Sequence, residues 1–319
     1  MNILLTGASG FVGRELLQQL TIGGHKVTAA VRMHNTNLDP SVSQELITGL
    51  TVDQDWMHML QGQDIVIHLA ARVHVMNETS LDPLDAFRAV NLHGTLKLAK
   101  QAAASSVKRF IFVSSVKVNG ESTQLNYPYK TDTPAMPVDP YGISKMEAEQ
   151  GLFELANASD MNVVIVRPVL VYGPGVQANF LSMMSWLNKG IPLPFGSIQN
   201  LRSMVALDNL TDLIVTCLDH PAAANQVFLV SDDEDLSTTT LLKKMGSALG
   251  RPPRLISLPG WLLQMIFTGV GKKAIGQRLC GSLQVDISKT RDLLGWTPRV
   301  SVDDALRKTA SDFLEGRDK

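Results

Sequence analysis

The chain has 319 residues, of which 45% are hydrophobic and 18% charged, with a net charge of −1. That length supports a large core, and that balance excludes a disordered chain. The near-neutral total gives no overall field toward nucleic acid or an anionic membrane. Two isolated cysteines, Cys217 and Cys280, fit a reducing cytoplasm better than a disulfide framework.

In chain order, "MNILLTGASGFVG" lacks the basic n-region of a signal peptide and is predicted to hold a first strand, 2–7, and its turn. An amphipathic stretch, 13–24, then leads to apolar runs at 26–31, 64–70, 109–115 and 162–168. Their near-continuous Val, Ile and Leu content suits parallel strands covered on both faces. Between them "DPLDAFRAVNLHGTLKLAKQAAASS" has helical periodicity. The alternation predicts an α/β fold: a Rossmann-type, doubly wound parallel sheet with right-handed crossovers. After about Arg167 the rhythm breaks. A nucleotide-binding domain is expected over 1–168 and a smaller substrate domain over 169–319, with a strand near 225–231 returning to the sheet. The apolar stretch 258–271 is shorter than the ~20 residues a spanning helix needs. A buried helix or a lid is expected there rather than a membrane-contacting segment, and no stable membrane insertion.

Gly7, Gly10 and Gly13 follow the first strand at the mouth of the first helix. A side chain at such a turn would block a pyrophosphate, which the helix N-terminus holds through free N–H groups. Gly7, Ser9, Gly10, Phe11, Val12 and Gly13 are therefore candidate cofactor contacts. At the end of the second strand, Val31 stands where a carboxylate would bind the adenosine ribose, and Arg32 follows. A guanidinium there favours the 2′-phosphate of NADP(H), with NAD(H) as the alternative. No metal site is expected.

"TGASGFVG", "HLAA", "SSVKVNG", "YGISK" and "RPVLVYGPG" occur in the order and spacing of the extended short-chain dehydrogenases/reductases. The chain resembles the nucleotide-sugar epimerase, ketoreductase and dehydratase branch, typified by UDP-glucose 4-epimerase. More narrowly it resembles bacterial enzymes of surface-polysaccharide synthesis acting on UDP-N-acetyl-6-deoxy sugars. The resemblance implies a catalytic triad of Ser115, Tyr141 and Lys145. Local chemistry agrees: Tyr141 and Lys145 stand four apart on one helical face, behind Asp139 as N-cap and Pro140 in the first turn. The helix dipole, Lys145 and an oxidised nicotinamide are expected to lower the Tyr141 pKa. The resemblance further implies cofactor contacts at Leu69, Ala70, Ala71, Asn91, Tyr141, Lys145 and Pro168, with Tyr172 in the segment passing the nicotinamide. Asn91 has a helix-packing role as its alternative, and His68 is expected as a strand residue beside the cofactor rather than an acid or base. Substrate contacts are implied at Ser115, Asn179, Arg202 and Arg278, the arginines suiting a diphosphate.

Val116 and Lys117 replace the Asp-Glu pair that sugar 4,6-dehydratases carry, which argues against elimination chemistry. Asn119 replaces the usual Tyr. The favoured activity is NADPH-dependent reduction at C4 of a UDP-4-keto-6-deoxy-N-acetylhexosamine. UDP-hexose 4-epimerisation with retained NAD is the alternative. A reductase of a non-nucleotide ketone and a non-catalytic NADP-sensing protein rank below both. A homodimer through helices in 84–104 and 141–157 is implied by the resemblance.

Overall fold

The apolar runs form strands because each is covered on both faces. In the computed structural model, which describes residues 1–36, 38–73, 82–269, 271 and 273–316, the strands are β1 Asn2–Thr6, β2 Lys26–Val31, β3 Ser43–Leu46, β4 Ile65–His68, β5 Arg109–Val113, β6 Asn162–Pro168, β7 Leu170–Tyr172, β8 Met204–Ala206 and β9 Gln226–Val230. Seven of them make one parallel sheet in the order β3-β2-β1-β4-β5-β6-β9, and β7 pairs with β8 apart from it. The sheet is the predicted Rossmann-type, doubly wound α/β architecture. The strand near 225–231 does return, with Val164–Pro168 of β6 in parallel register with Gln226–Val230.

Alternate residues of each strand enter different layers, as the pleat requires. Ile3 and Leu5, Ile65 and Ile67, and Val164 and Val166 pack with Leu16, Leu17 and Leu20 of helix Phe11–Ile22 and Leu210, Leu213 and Ile214 of helix Leu207–Thr216. Leu4, Val66, Phe110, Phe112 and Ile165 face the other way, onto Leu98 and Ala102 of helix Thr95–Ala104 and Ala148 and Leu152 of helix Pro140–Asn157. A third core joins Tyr172, Phe180, Met184, Leu242, Met245 and Leu306. The first layer also takes in Val205, Leu210, Val285 and Trp296, so the core beneath the sheet draws on chain well beyond residue 168.

Three local features depart from the periodicity. β3, "SQEL", has no apolar run; an edge strand buries little, and its register with Thr28–Val31 of β2 defines it. The helical stretch after Asp82 is three pieces: α-helix Pro83–Arg88, a π-helical turn Ala89–Gly94, and helix Thr95–Ala104. A Cβ on Gly94 would lie 2.5 Å from the Leu50 carbonyl oxygen, so that turn sits directly against neighbouring backbone. In the stretch 258–271, of which residue 270 lies outside the described residues, helix Gly260–Gly269 buries only Leu263 and leaves Trp261, Met265 and Ile266 exposed. A helix forms there, but of the two expectations, a buried helix or a lid, it is not the buried helix: Leu263 and Phe267 use one face against the third core, while Trp261, Met265 and Ile266 stay exposed. No described helix is long and apolar enough to cross a membrane.

Candidate active site

The strand order reverses between β1 and β4, and the glycine turn lies at that point, where a ligand crevice opens in this architecture. Gly7 has φ +76°, which a glycine adopts without strain. Its missing Cβ would stand 2.8 Å from the Ala70 nitrogen, and that on Gly13 2.0 Å from the Gly7 carbonyl oxygen. Those two glycines allow the turn to close on itself and on the end of β4. Gly10 differs, since its Cβ would meet only the Gly7 carbonyl oxygen, at 3.2 Å. It is exposed, as is Ser9, and caps helix Phe11–Ile22 with no side-chain acceptor on the first-turn amides. Phe11 and Val12 are half-buried at the same helix start. The turn thus has the open cradle and uncapped helix N-terminus that a dinucleotide pyrophosphate needs.

Leu69, Ala70 and Ala71 follow β4, half-buried, and the Ala70 amide donates to Thr6 Oγ1 over 3.3 Å. Arg32 is exposed immediately beyond β2. His68 is fully buried, with Thr6 Oγ1 2.7 Å from Nδ1 and Thr95 Oγ1 3.0 Å from Nε2, and its ring stacks on Phe112. Burial, with the nearby Lys145 charge, pulls its pKa down to about 3. It is a neutral residue at the end of β4, a strand position as expected, with its ring buried in the core.

Asn91 is also turned into the fold. Its Oδ1 accepts from the Arg72 amide at 2.8 Å, and its Nδ2 donates to the Arg72 carbonyl and to Ser144 Oγ, each at 3.0 Å. With those groups engaged, Asn91 fastens the loop after β4 to the helix that carries Tyr141.

Helix Pro140–Asn157 begins as its sequence predicts. Asp139 Oδ1 accepts from the Gly142 amide at 2.7 Å, and Pro140 occupies the first turn. Tyr141 lies in that turn, edge-on to Phe87 with ring centroids 6.2 Å apart. One turn later, Lys145 is 1% exposed. Its Nζ donates to the Val113 carbonyl oxygen at 2.9 Å, 4.2 Å from the Phe112 ring centroid and 5.9 Å from that of Tyr141. Burial lowers its pKa to about 7, against the opposing pull of Glu149. Ser115 stands just past β5 and caps the short 3₁₀ turn Val116–Val118, which packs against the same helix. A Cβ at Gly142 would lie 2.9 Å from the Lys117 carbonyl oxygen, so the missing side chain there lets the Ser115 turn approach the Tyr141 turn.

One expectation is corrected. The chain's own groups do not lower the Tyr141 pKa. Burial raises it above the ordinary value, and the Asp139 carboxylate adds to the rise. Tyr172, in the segment expected to pass the nicotinamide, turns its side chain into the third core. It is fully buried, stacked on Phe180, with its hydroxyl donating to Asp232 Oδ2 at 2.8 Å. Pro168 is buried at the end of β6.

Of the substrate candidates, Asn179 is exposed in the first turn of helix Ala178–Asn188, and Arg278 is exposed near the end of helix Lys273–Cys280. Arg202 is bridged to Leu236 and Leu283, with Nη1 donating to the Gly281 carbonyl at 3.2 Å. Burial and the Arg278 charge lower its pKa. Two guanidiniums that repel each other are an arrangement an anion between them would relieve.

Several positioning residues were missed. Phe112 and Val113 hold Lys145, and Glu149 lies one further turn along the Tyr141–Lys145 face. Four-residue spacing could have found Glu149. Its partner could not be foreseen: Arg167 Nε donates to Glu149 Oε1 at 3.0 Å, and its Nη1 to Asn119 Oδ1 at 3.1 Å. Lys117 pairs with Asp139 and, at 3.0 Å, with Glu121.

Comparison with known proteins agrees with this frame. The model of the NAD dependent epimerase/dehydratase family matches residues 3–231. A UDP-glucose 4-epimerase of Vibrio cholerae is 47% identical over 319 residues, covering 100% of this chain and 97% of that protein. Among solved structures, the UDP-glucose 4-epimerase of Thermotoga maritima with UDP-glucose superposes with a TM-score of 0.79 at 22% identity, over 99% of this chain and 100% of that one. The UDP-glucuronic acid 4-epimerase of Bacillus cereus in complex with NAD gives 0.79 at 21% identity, over 99% of each chain.

Proposed function

Since the chain belongs to the NAD dependent epimerase/dehydratase family, and is an enzyme of that family, we propose that it interconverts C4 epimers of a UDP-hexose while retaining NAD. The kinship with the Vibrio cholerae protein over the full chain is the observation that carries this reading over net reduction.

Gly7, Ser9, Gly10, Phe11, Val12 and Gly13 would hold the dinucleotide pyrophosphate, Arg32 would face its adenosine end, and Leu69 to Ala71, Lys145 and Pro168 would line its path. When bound, the nicotinamide supplies the acceptor and donor of the hydride at C4. The chain's own residues manage the proton and the substrate. Tyr141 takes the proton of the C4 hydroxyl as C4 is oxidised and returns it after the 4-keto sugar has presented its other face. Ser115 holds the same oxygen by a hydrogen bond. Burial keeps Tyr141 protonated, so the phenolate needs positive charge beside it, from Lys145 and the oxidised cofactor. Asn179, Arg202 and Arg278, in the part of the chain after residue 168, would bind the diphosphate.

One observation favours the reductive reading, in which NADPH reduces a UDP-4-keto-6-deoxy-N-acetylhexosamine. Arg32 is exposed where a 2′-phosphate would lie. Incubation of the protein with UDP-glucose or UDP-N-acetylglucosamine and no added cofactor separates the two. Catalytic formation of the C4 epimer is expected; NADPH consumption with 4-keto sugars alone would replace the proposal with the reductase. The proposal includes a homodimer through the faces of 84–104 and 141–157, which light scattering at micromolar concentration would test.

A further inference from the structure

The uncovered face of helix Gly260–Gly269 belongs to a region with a charge pattern unlike the rest of the chain. Trp261 and Met265 stand one turn apart and are each 64% exposed; Ile266 is 48% exposed, and Ile256, just before the helix, 52%. The opposite face, Leu263 and Phe267, is committed to the third core, so the exposure is not that of a detached segment. Helix Lys273–Cys280 packs back on this helix, with Gly276 close enough that its Cβ would meet Phe267 at 2.8 Å, and it adds exposed Ile275. Arg251 and Arg254, a few residues before this hairpin in the sequence, are exposed, and neither makes an ion pair among the described residues. From residue 251 to residue 285 the sequence contains no aspartate or glutamate, while in the rest of the chain acids outnumber bases.

We propose that the hairpin formed by Gly260–Gly269 and Lys273–Cys280 is a docking surface for an anionic lipid bilayer. Exposed Trp, Met and Ile on one helical face, with unpaired arginines and no acidic residue in the same stretch of sequence, is the composition of a helix that lies in the headgroup plane. The helix is too short to span the bilayer, and Trp at its end suits the interfacial region. A second copy of the chain is disfavoured as the occupant because the same unpaired arginines would be brought together with no carboxylate from this stretch to meet them. The near-neutral net charge is no obstacle, since the attraction is local and acts within a Debye length of the surface.

Flotation of the full-length protein with vesicles tests it. Binding to vesicles of equal parts phosphatidylglycerol and phosphatidylcholine is expected at low ionic strength, at least about tenfold stronger than to phosphatidylcholine alone and weakened by 0.5 M salt. Arg251→Gln with Arg254→Gln should weaken binding several-fold, and Met265→Ser with Ile266→Ser should do so independently. Both variants alter exposed side chains, and circular dichroism and thermal unfolding like the parent would establish that each is folded. No preference for anionic vesicles, or equal binding by the folded variants, would overturn the proposal. So would loss of dimerisation by light scattering in Met265→Ser with Ile266→Ser, which would make the face a contact between copies.

Discussion

Gly142 lies directly beneath the Lys117 carbonyl: a Cβ at 142 would stand 2.9 Å from that oxygen and 3.1 Å from Pro137 Cβ. Through this contact the turn bearing Ser115 approaches the first turn of the helix bearing Tyr141. Gly142→Ala should force the two apart by a few tenths of an ångström. Overpacking of this kind costs about 1–3 kcal/mol, while misplacement at a reacting centre costs up to about a hundredfold in rate. The expected result is a loss of kcat of at least about tenfold with cofactor affinity nearly unchanged. Full turnover in the folded variant would sever the link between this packing and catalysis.

In the proposed mechanism Tyr141 exchanges the proton at O4; Tyr141→Phe removes that hydroxyl and keeps the ring against Phe87. Turnover should fall by more than about a thousandfold, within the 10²–10⁴ range of general acid–base catalysis, with thermal unfolding close to the parent. Retention of a tenth of kcat would mean another group carries the proton.

His68→Leu should be a stability variant and nothing more. It leaves the buried hydroxyl of Thr95 without its partner and takes one of two partners from that of Thr6, and an unsatisfied buried group costs about 1–3 kcal/mol. Urea unfolding should report that loss, while the pH dependence of kcat/KM between pH 5 and 8 keeps its shape. A changed profile would return the imidazole to the chemistry.

The pH dependence of stability should carry the mark of Lys145. Its amine titrates at 10.5 in the unfolded chain and about 7 in the fold. Between those values the unfolded state binds more protons, so this group makes stability rise with pH, from the penalty of a buried ammonium below 7 to none above 10.5. Lys145→Met lacks the effect. The gap in unfolding free energy between variant and parent should therefore change between pH 7 and 9.5 in the parent's favour. A constant gap would place the lysine at its ordinary pKa.

Arg32→Ala tests the adenosine end. With NAD as the retained cofactor, the variant should lose less than about threefold in NAD affinity, because an exposed arginine has no 2′-phosphate to hold there. Much tighter NADPH than NADH binding in the parent, abolished in the variant, would move the assignment to NADP.

The sequence by itself determined the sheet apart from β3, the glycine turn and the helix that carries Tyr141, because these rest on local rules. Continuous Val, Ile and Leu runs demand cover on both faces; Gly7 and Gly13 are required wherever the turn closes on backbone; Asp139 and Pro140 start a helix regardless of what lies beside it. Family likeness carried Tyr141, Lys145 and Ser115 onto those elements. Tertiary structure decided what depends on partners distant in the chain. β3 exists only as a neighbour of β2. Asn91 reads as a polar helix residue until Arg72 and Ser144 are brought to it. Burial, which no residue type discloses, fixes the signs at Lys145, Tyr141 and His68. The stretch 258–271 is apolar enough for a core in sequence. Only packing shows that Leu263 and Phe267 fill the available space and leave Trp261 and Met265 outside, since periodicity records which residues share a face and not whether anything covers it.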